Sequence, residues 1–204
     1  MQEFVTQLQT RFSTDEISMI QNQFGSFVLI SPKKKNGNQI LLTIGLSEFQ
    51  MNVHEKHAGE EFNELYFYLP SYWDLNDIEN SSMNWVFIWL EKLKKHVISK
   101  NSWFGNGHTI ATGKLLFPLS DKMLQNHFIL AHPMELSNEL APIKLVNKTI
   151  HFLAVIPIFE DEMDYKQGKG TAKLFKKFAQ ANVTEKLDEF RKTVLRNRWN
   201  FFGK

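Results

Sequence analysis

The stretch Ile150–Tyr165, IHFLAVIPIFEDEMDY, decides how the rest of the sequence is read. Nine of its first ten residues are apolar, His151 being the exception, and the run stops at Glu160, Asp161, Glu162 and Asp164. A short unbroken apolar run suits a strand buried on both faces, because neither face meets water. Carboxylates just beyond it suit the first turn of a helix, where unpaired N–H groups and the helix dipole favour negative charge. The stretch predicts a central strand leading directly into a helix.

Such a strand needs a core around it. At 204 residues the chain is expected to fold as a single domain, 1–204. Its hydrophobic content of 43%, with 18 Phe, can fill an aromatic-rich core. No run approaches the ~18 apolar residues of a membrane span, and Met1–Phe12 lacks the basic, apolar character of a leader. A cytoplasmic protein with no membrane partner is expected. The absence of cysteine excludes disulfides, thiol nucleophiles and Cys-ligated zinc or iron–sulfur centres. Charge is uneven: Lys166–Lys204 carries eleven Lys and Arg against three Asp and Glu, whereas Met1–Tyr165 carries 13 against 19. A basic stretch of this kind reads first as the solvated face of helices.

Outward from the central strand, the pattern alternates between short strands and helices. Phe4, Val5, Leu8 and Phe12 fall at helical spacing in Met1–Phe12. Ser26–Ser31 and Gln39–Gly45 read as a hairpin around a polar loop, whose lysines at 33–35 are a solvated turn. Phe49–Phe62 is a polar loop; its His54 and His57 have His-x-x-His spacing but neither a third ligand nor helical periodicity, so no metal is assigned. Glu64–Pro70 predicts a strand with Leu65, Phe67 and Leu69 on one face and Tyr66 and Tyr68 on the other. Val86, Trp89, Leu90, Leu93 and Val97 make a helical stripe in Asn84–Ser99. Asn101–Thr112 is a glycine-containing loop in which His108 reads as structural. Leu115–Leu119 and His127–Ala131 are apolar, the second a strand, and Ile143–Lys148 turns near Asn147 into the central strand. Thr171–Ala181 predicts an amphipathic helix. Asn182 and Glu185 then read as a capping box opening a last helix, with Val183, Leu187, Phe190 and Val194 inward and Lys186, Arg191, Lys192, Arg196 and Arg198 outward.

Five motifs in this order resemble the Suppressor of fused domain family. They are Thr43-Ile-Gly-Leu-Ser47; Glu64-Leu-Tyr-Phe-Tyr-Leu-Pro70 followed by Trp73; Lys100-Asn-Ser-Trp103; Gly107-His-Thr-Ile110; and Phe152–Glu160 with Glu162 and Tyr165-Lys166. The resemblance covers roughly Ser26–Arg196 and departs at Phe159, where members often carry Tyr. It implies an α+β fold with a mixed central sheet flanked by helices. In the animal protein this domain is the N-terminal lobe and works with a second lobe to grip an extended peptide of a transcription factor. This chain is too short for both lobes and resembles the free-standing bacterial form.

The family likeness implies a protein partner, because such bacterial forms are often immunity proteins that neutralise polymorphic toxins, commonly nucleases. Interface anchors of that kind are expected to be aromatic, with complementary charge around them. The candidates are Tyr72, Trp73, Trp103 and Phe104, which stand in polar or glycine-containing loops, and the set Glu160, Asp161, Glu162 and Asp164. Against this, the aromatics can fold back onto the core, and the carboxylates can serve the start of the helix. Nothing assembles a nucleophile, a base and oxyanion donors, so neither an enzyme nor a cofactor is expected. The alternatives are an adaptor holding an extended peptide, or nucleic-acid binding through the basic C-terminal segment.

Overall fold

The computed structural model describes residues 1–33, 37–113 and 118–195; the expectations for Lys34, Lys35, Leu115–Phe117, Arg196 and Arg198 lie outside these residues. Its strands are β1 (Asp15–Asn22), β2 (Gly25–Pro32), β3 (Gln39–Thr43), β4 (Phe62–Leu69), β5 (Thr109–Ala111), β6 (His127–Ala131), β7 (Ile143–Lys144) and β8 (Thr149–Ile158). The helices are α1 (Gln2–Arg11), α2 (Ser81–Lys100), α3 (Glu160–Lys169) and α4 (Thr171–Gln180). Together the strands form one mixed sheet in the order β1-β2-β3-β4-β8-β6-β5, with β7 pairing the start of β8.

β8 is central. Along its first half it runs parallel to β4, with Phe62 opposite Ile150 and Tyr66 opposite Ala154. Along its second half it runs antiparallel to β6, with Ala131 opposite Ala154 and His127 opposite Ile158. The parallel β4–β8 seam joins an antiparallel meander, β1 to β4, to the β8-β6-β5 half. Because β4 and β8 point the same way, both end at the same rim of the sheet.

Period-two alternation assigns each strand's side chains to two cores. Leu65, Phe67 and Leu69 of β4 join Leu153 and Val155 of β8 and Phe128 of β6 under α2, which contributes Trp85, Val86, Leu90, Leu93 and Val97. Tyr66, Phe152, Ala154, Ile156 and Ile129 face the opposite way, against Phe4 and Leu8 of α1 and Leu174 and Phe178 of α4. Three layers result, and each fully buried Phe or Leu contributes on the order of 2–3 kcal/mol. The Asn80 side chain caps α2 by accepting from the Ser82 N–H at 3.1 Å, and Asn101 ends it in the left-handed region at φ 47°.

Two elements differ from the sequence reading. β1 is added: its apolar residues Ile17, Met19 and Ile20 do not alternate, and the strand is defined by pairing all eight residues with β2. The expected last helix is absent. Asn182 takes a left-handed φ of 53°, and the chain from Val183 to Leu195 is irregular. Glu185 does not close a capping box; its buried carboxylate instead accepts the N–H groups of Met134, Glu135 and Leu136 at 2.9, 3.0 and 2.9 Å. Phe190 accordingly points outward rather than into the core.

A second buried carboxylate, Glu64 in β4, holds the turn after β3. It accepts from the Thr43 hydroxyl at 2.5 Å, from the Gly45 and Ser47 N–H groups at 3.0 Å each, and from the Ser47 hydroxyl at 2.7 Å. Glu64→Ala strands these buried donors and is expected to cost at least about 3 kcal/mol in urea unfolding. A loss within about 0.5 kcal/mol, the range of ordinary surface substitutions, would deny the carboxylate this role.

Candidate functional site

The rim where β4 and β8 end gathers two of the expected sets. Tyr72 and Trp73 follow β4, and Glu160, Asp161, Glu162 and Asp164 open α3 directly after β8. The irregular segment 183–195 crosses this rim and ties the two together. Its Leu187 N–H donates to the Tyr68 carbonyl at 2.8 Å, and the Gln125 amide donates to the Asp188 carbonyl at 3.5 Å.

Glu162 anchors the far end of the crossing. Although 0% exposed, its carboxylate receives both terminal nitrogens of Arg191 at 2.7 Å each, the Val194 N–H at 3.0 Å and the Phe159 N–H at 3.1 Å. The forked, charge-assisted pair is the strong form of such a bond. Arg191 also donates to the Pro157 carbonyl at 2.7 Å, and its guanidinium lies 4.9 Å from the Phe159 ring centre and 5.6 Å from that of Phe178. Arg191, expected to face outward, is thus drawn inward by a buried charge. Asp161 accepts the Thr193 hydroxyl at 2.9 and 2.8 Å, while Glu160 and Asp164 are exposed.

The other candidates divide by depth. Trp73 is buried, edge-on to Trp85 at 5.8 Å, and its indole N–H donates to the Met83 carbonyl at 3.1 Å. Its neighbour Tyr72 is half exposed; burial of the phenol, then the charges of Glu189 and Asp188, push its pKa up to about 12. Phe104 is buried and Trp103 partly buried, both at the opposite end of the sheet, where the Phe104 carbonyl accepts from Asn63 at 3.3 Å. Trp73, Phe104 and Glu162 are therefore held by the chain itself, Asp161 is exposed but tied to Thr193, and Tyr72, Glu160 and Asp164 remain available at the rim.

Sequence reasoning did not single out the most exposed apolar residues here. Phe190 is 73% exposed and Leu124 72% exposed, and both border a groove of about 290 Å³ that Phe159 also lines, with Lys122, Glu189 and Lys192 around it. An apolar pair this exposed, set in a polar rim, has the anatomy of a contact surface. Segment 185–190 alternates buried and exposed, so Phe190 shares the outward face with Lys186 and Asp188.

At the opposite end the Trp103 ring lies 4.8 Å from that of His57 and 4.2 Å from that of His108. Burial lowers the pKa of His108, and the neighbouring Lys166, His57 and Lys56 lower it further. Burial lowers His132 as well, against the pull of Glu60. Beside these, a groove of about 340 Å³ is lined by Trp89, Lys92, His96, Phe104 and Ile110. Among the described residues no three His, Asp or Glu side chains form a set that could hold a metal ion, and no helix is long and apolar enough to cross a membrane.

Comparison with known proteins places this geometry. The family model described as Suppressor of fused protein (SUFU) matches residues 16–192. No curated protein matches the sequence. A SUFU homologue from Neisseria gonorrhoeae is similar in structure, with a TM-score of 0.66 at 17% identity over 96% of each chain. The Sufu–Fu complex is similar with a TM-score of 0.61 at 13% identity, over 94% of this chain and 89% of that one. Drosophila Suppressor of Fused gives 0.57 at 12% identity over 87% of this chain, which spans 45% of the fly chain.

Two outcomes follow from the geometry of the two ends. Glu162→Ala leaves the guanidinium buried without its carboxylate and is expected to cost about 3–5 kcal/mol. Arg191→Lys is expected to fall between that and wild type, because an ammonium cannot reproduce the fork. Both should speed tryptic cleavage after Lys186 and Lys192 by loosening the backbone of this segment, and unchanged cleavage would contradict the anchoring. For His108 the folded-state pKa is below the unfolded one, so its stabilisation is present above the ordinary histidine range and is lost as pH falls through the folded value. Melting temperature should decline from about pH 7.5 to about pH 5, and His108→Gln should flatten part of that decline. An identical profile in the variant would contradict the assignment.

Proposed function

On the premise that this chain belongs to the Suppressor of fused family, we propose that it is a protein-binding domain without chemistry of its own, acting in the bacterial cytoplasm as an immunity protein that neutralises a toxin by direct contact. The observation that carries the reading is the pair Phe190 and Leu124, two highly exposed apolar side chains that line one groove. The fold spends a buried ion pair and five backbone hydrogen bonds, through Glu162, Glu185 and Leu187, on presenting that segment. Binding between proteins concentrates its energy in a few apolar or aromatic anchors, with charge at the rim steering the encounter. Tyr72, Glu160, Asp161 and Asp164 supply such charge and polarity where β4 and β8 end. A structural relative, Sufu, is known in complex with Fu, which supports a protein as the partner class.

A second reading rests on the groove of Trp89, His96, Phe104 and Ile110, which lies beside β5, the last strand of the sheet path. An adaptor that holds an extended peptide would use that end. The toxin-binding reading uses the rim around Phe190.

Co-expression with the protein encoded immediately upstream of its gene tests the proposal. Growth should be rescued and a stable complex recovered. Phe190→Glu, alone or with Leu124→Glu, should abolish rescue and weaken binding by at least ~30-fold, the effect of losing one hot-spot residue. Melting temperature should stay unchanged, because both side chains already face water. Rescue that survives both substitutions would move the interface elsewhere, and absence of any complex would overturn the immunity reading.

A further inference from the structure

The two edges of the sheet are built differently. β5, at one end of the strand order, has three residues. β1, at the other, has eight, and every one pairs with β2 in continuous register without a bulge. A strand at an edge offers a row of N–H and C=O groups that any second strand can pair, and proteins blunt such edges with lysine, proline, bulges or short length. β1, DEISMIQN, has no lysine, proline or bulge, and its two charged residues stand only at its start, so the stretch Ile17–Asn22 has none of these devices. Among the described residues its only strand neighbour is β2, and although the Asp15 N–H at its start donates to the Phe12 carbonyl at 2.9 Å, no strand covers the outer edge from Ile17 to Gln21. Met19, in the middle of the strand, is 54% exposed.

We propose that the β1 edge is a self-association site, at which the β1 strands of two copies pair antiparallel about a two-fold axis near Ser18 and Met19. Charge selects this occupant. The only charged residues of β1, Asp15 and Glu16, stand together at its start, and Gln21 and Asn22 close it without charge. Antiparallel pairing about the middle sets each acidic end against the partner's amide end, so no like charges meet across the junction. A two-fold contact is self-complementary by construction, and the pairing would extend one sheet through both copies. It leaves the Phe190 rim free, because that rim lies where β4 and β8 end, away from the β1 edge.

Sedimentation equilibrium of the full chain over a wide concentration range tests the site. Wild type should show a concentration-dependent dimer. Met19→Lys should raise its dissociation constant by about fivefold or more, as like charges across paired strands do, with the melting temperature unchanged. Since the chain has no cysteine of its own, Ser18→Cys and Met19→Cys each report a single crosslink. Under a mild oxidant at least one should give a disulfide dimer faster than Val146→Cys, a control position that is 96% exposed. A wild-type monomer at all concentrations, a dimer that Met19→Lys leaves intact, or crosslinking no faster than at position 146 would each overturn the proposal. The near-isosteric Ser18→Cys keeps the test open should the lysine variant fail to fold.

Discussion

A carboxylate with no access to water must be satisfied completely by the protein, and the structure at the end of β4 and β8 follows from how Glu162 meets that demand. Leaving such a charge unpaired would cost several kcal/mol, and Glu162 is surrounded by donors on both oxygens. Two of those donors belong to Arg191 and one to Val194, so a charge at the start of α3 dictates where a segment some thirty residues later must lie. Glu185 does the same for the turn after β6, and Glu64 for the turn after β3. In each case a buried glutamate takes backbone N–H groups that no helix or ladder satisfies. Irregular chain is thereby held against the sheet with the exactness of regular structure.

This device also explains which parts of the fold were legible. β8 and the start of α3 could be read because their apolar run and carboxylate stop are local patterns with one physical meaning. β4 was equally clear, its Leu65, Phe67 and Leu69 alternating with Tyr66 and Tyr68 across the two cores. The segment 183–195 was not. Its buried positions 185, 187 and 189 are Glu, Leu and Glu, so the period-two burial that governs it is invisible to any reading that equates buried with apolar. The same residues satisfy a helix template, and Asn182 with Glu185 imitates a cap. β1 escaped because a partner strand, rather than its own periodicity, defines it.

At the candidate site the sequence separated residue types better than depths. Tyr72 and Trp73 are neighbours in one loop, yet the tryptophan closes the core against Trp85 while the tyrosine reaches outward. Only the course of the chain after β4 distinguishes them. The motif resemblance identified the family, and the match over residues 16–192 bears it out. Phe159, where that resemblance departs from the common tyrosine, offers its ring to the guanidinium of Arg191, a contact that needs no hydroxyl.

The central claim is that segment 183–195 is a rigid part of the fold, fixed by buried carboxylates, and that its outer face is thereby presented. Native-state hydrogen exchange addresses it most directly, since the amides of Leu187 and Val194 donate to Tyr68 and Glu162 and those of Met134 and Leu136 donate to Glu185. These four amides should exchange as slowly as those in the paired centre of β8, opening only with much of the fold. Exchange at the rate of an unstructured loop would contradict the account, because a segment that opens freely cannot hold Phe190 in place.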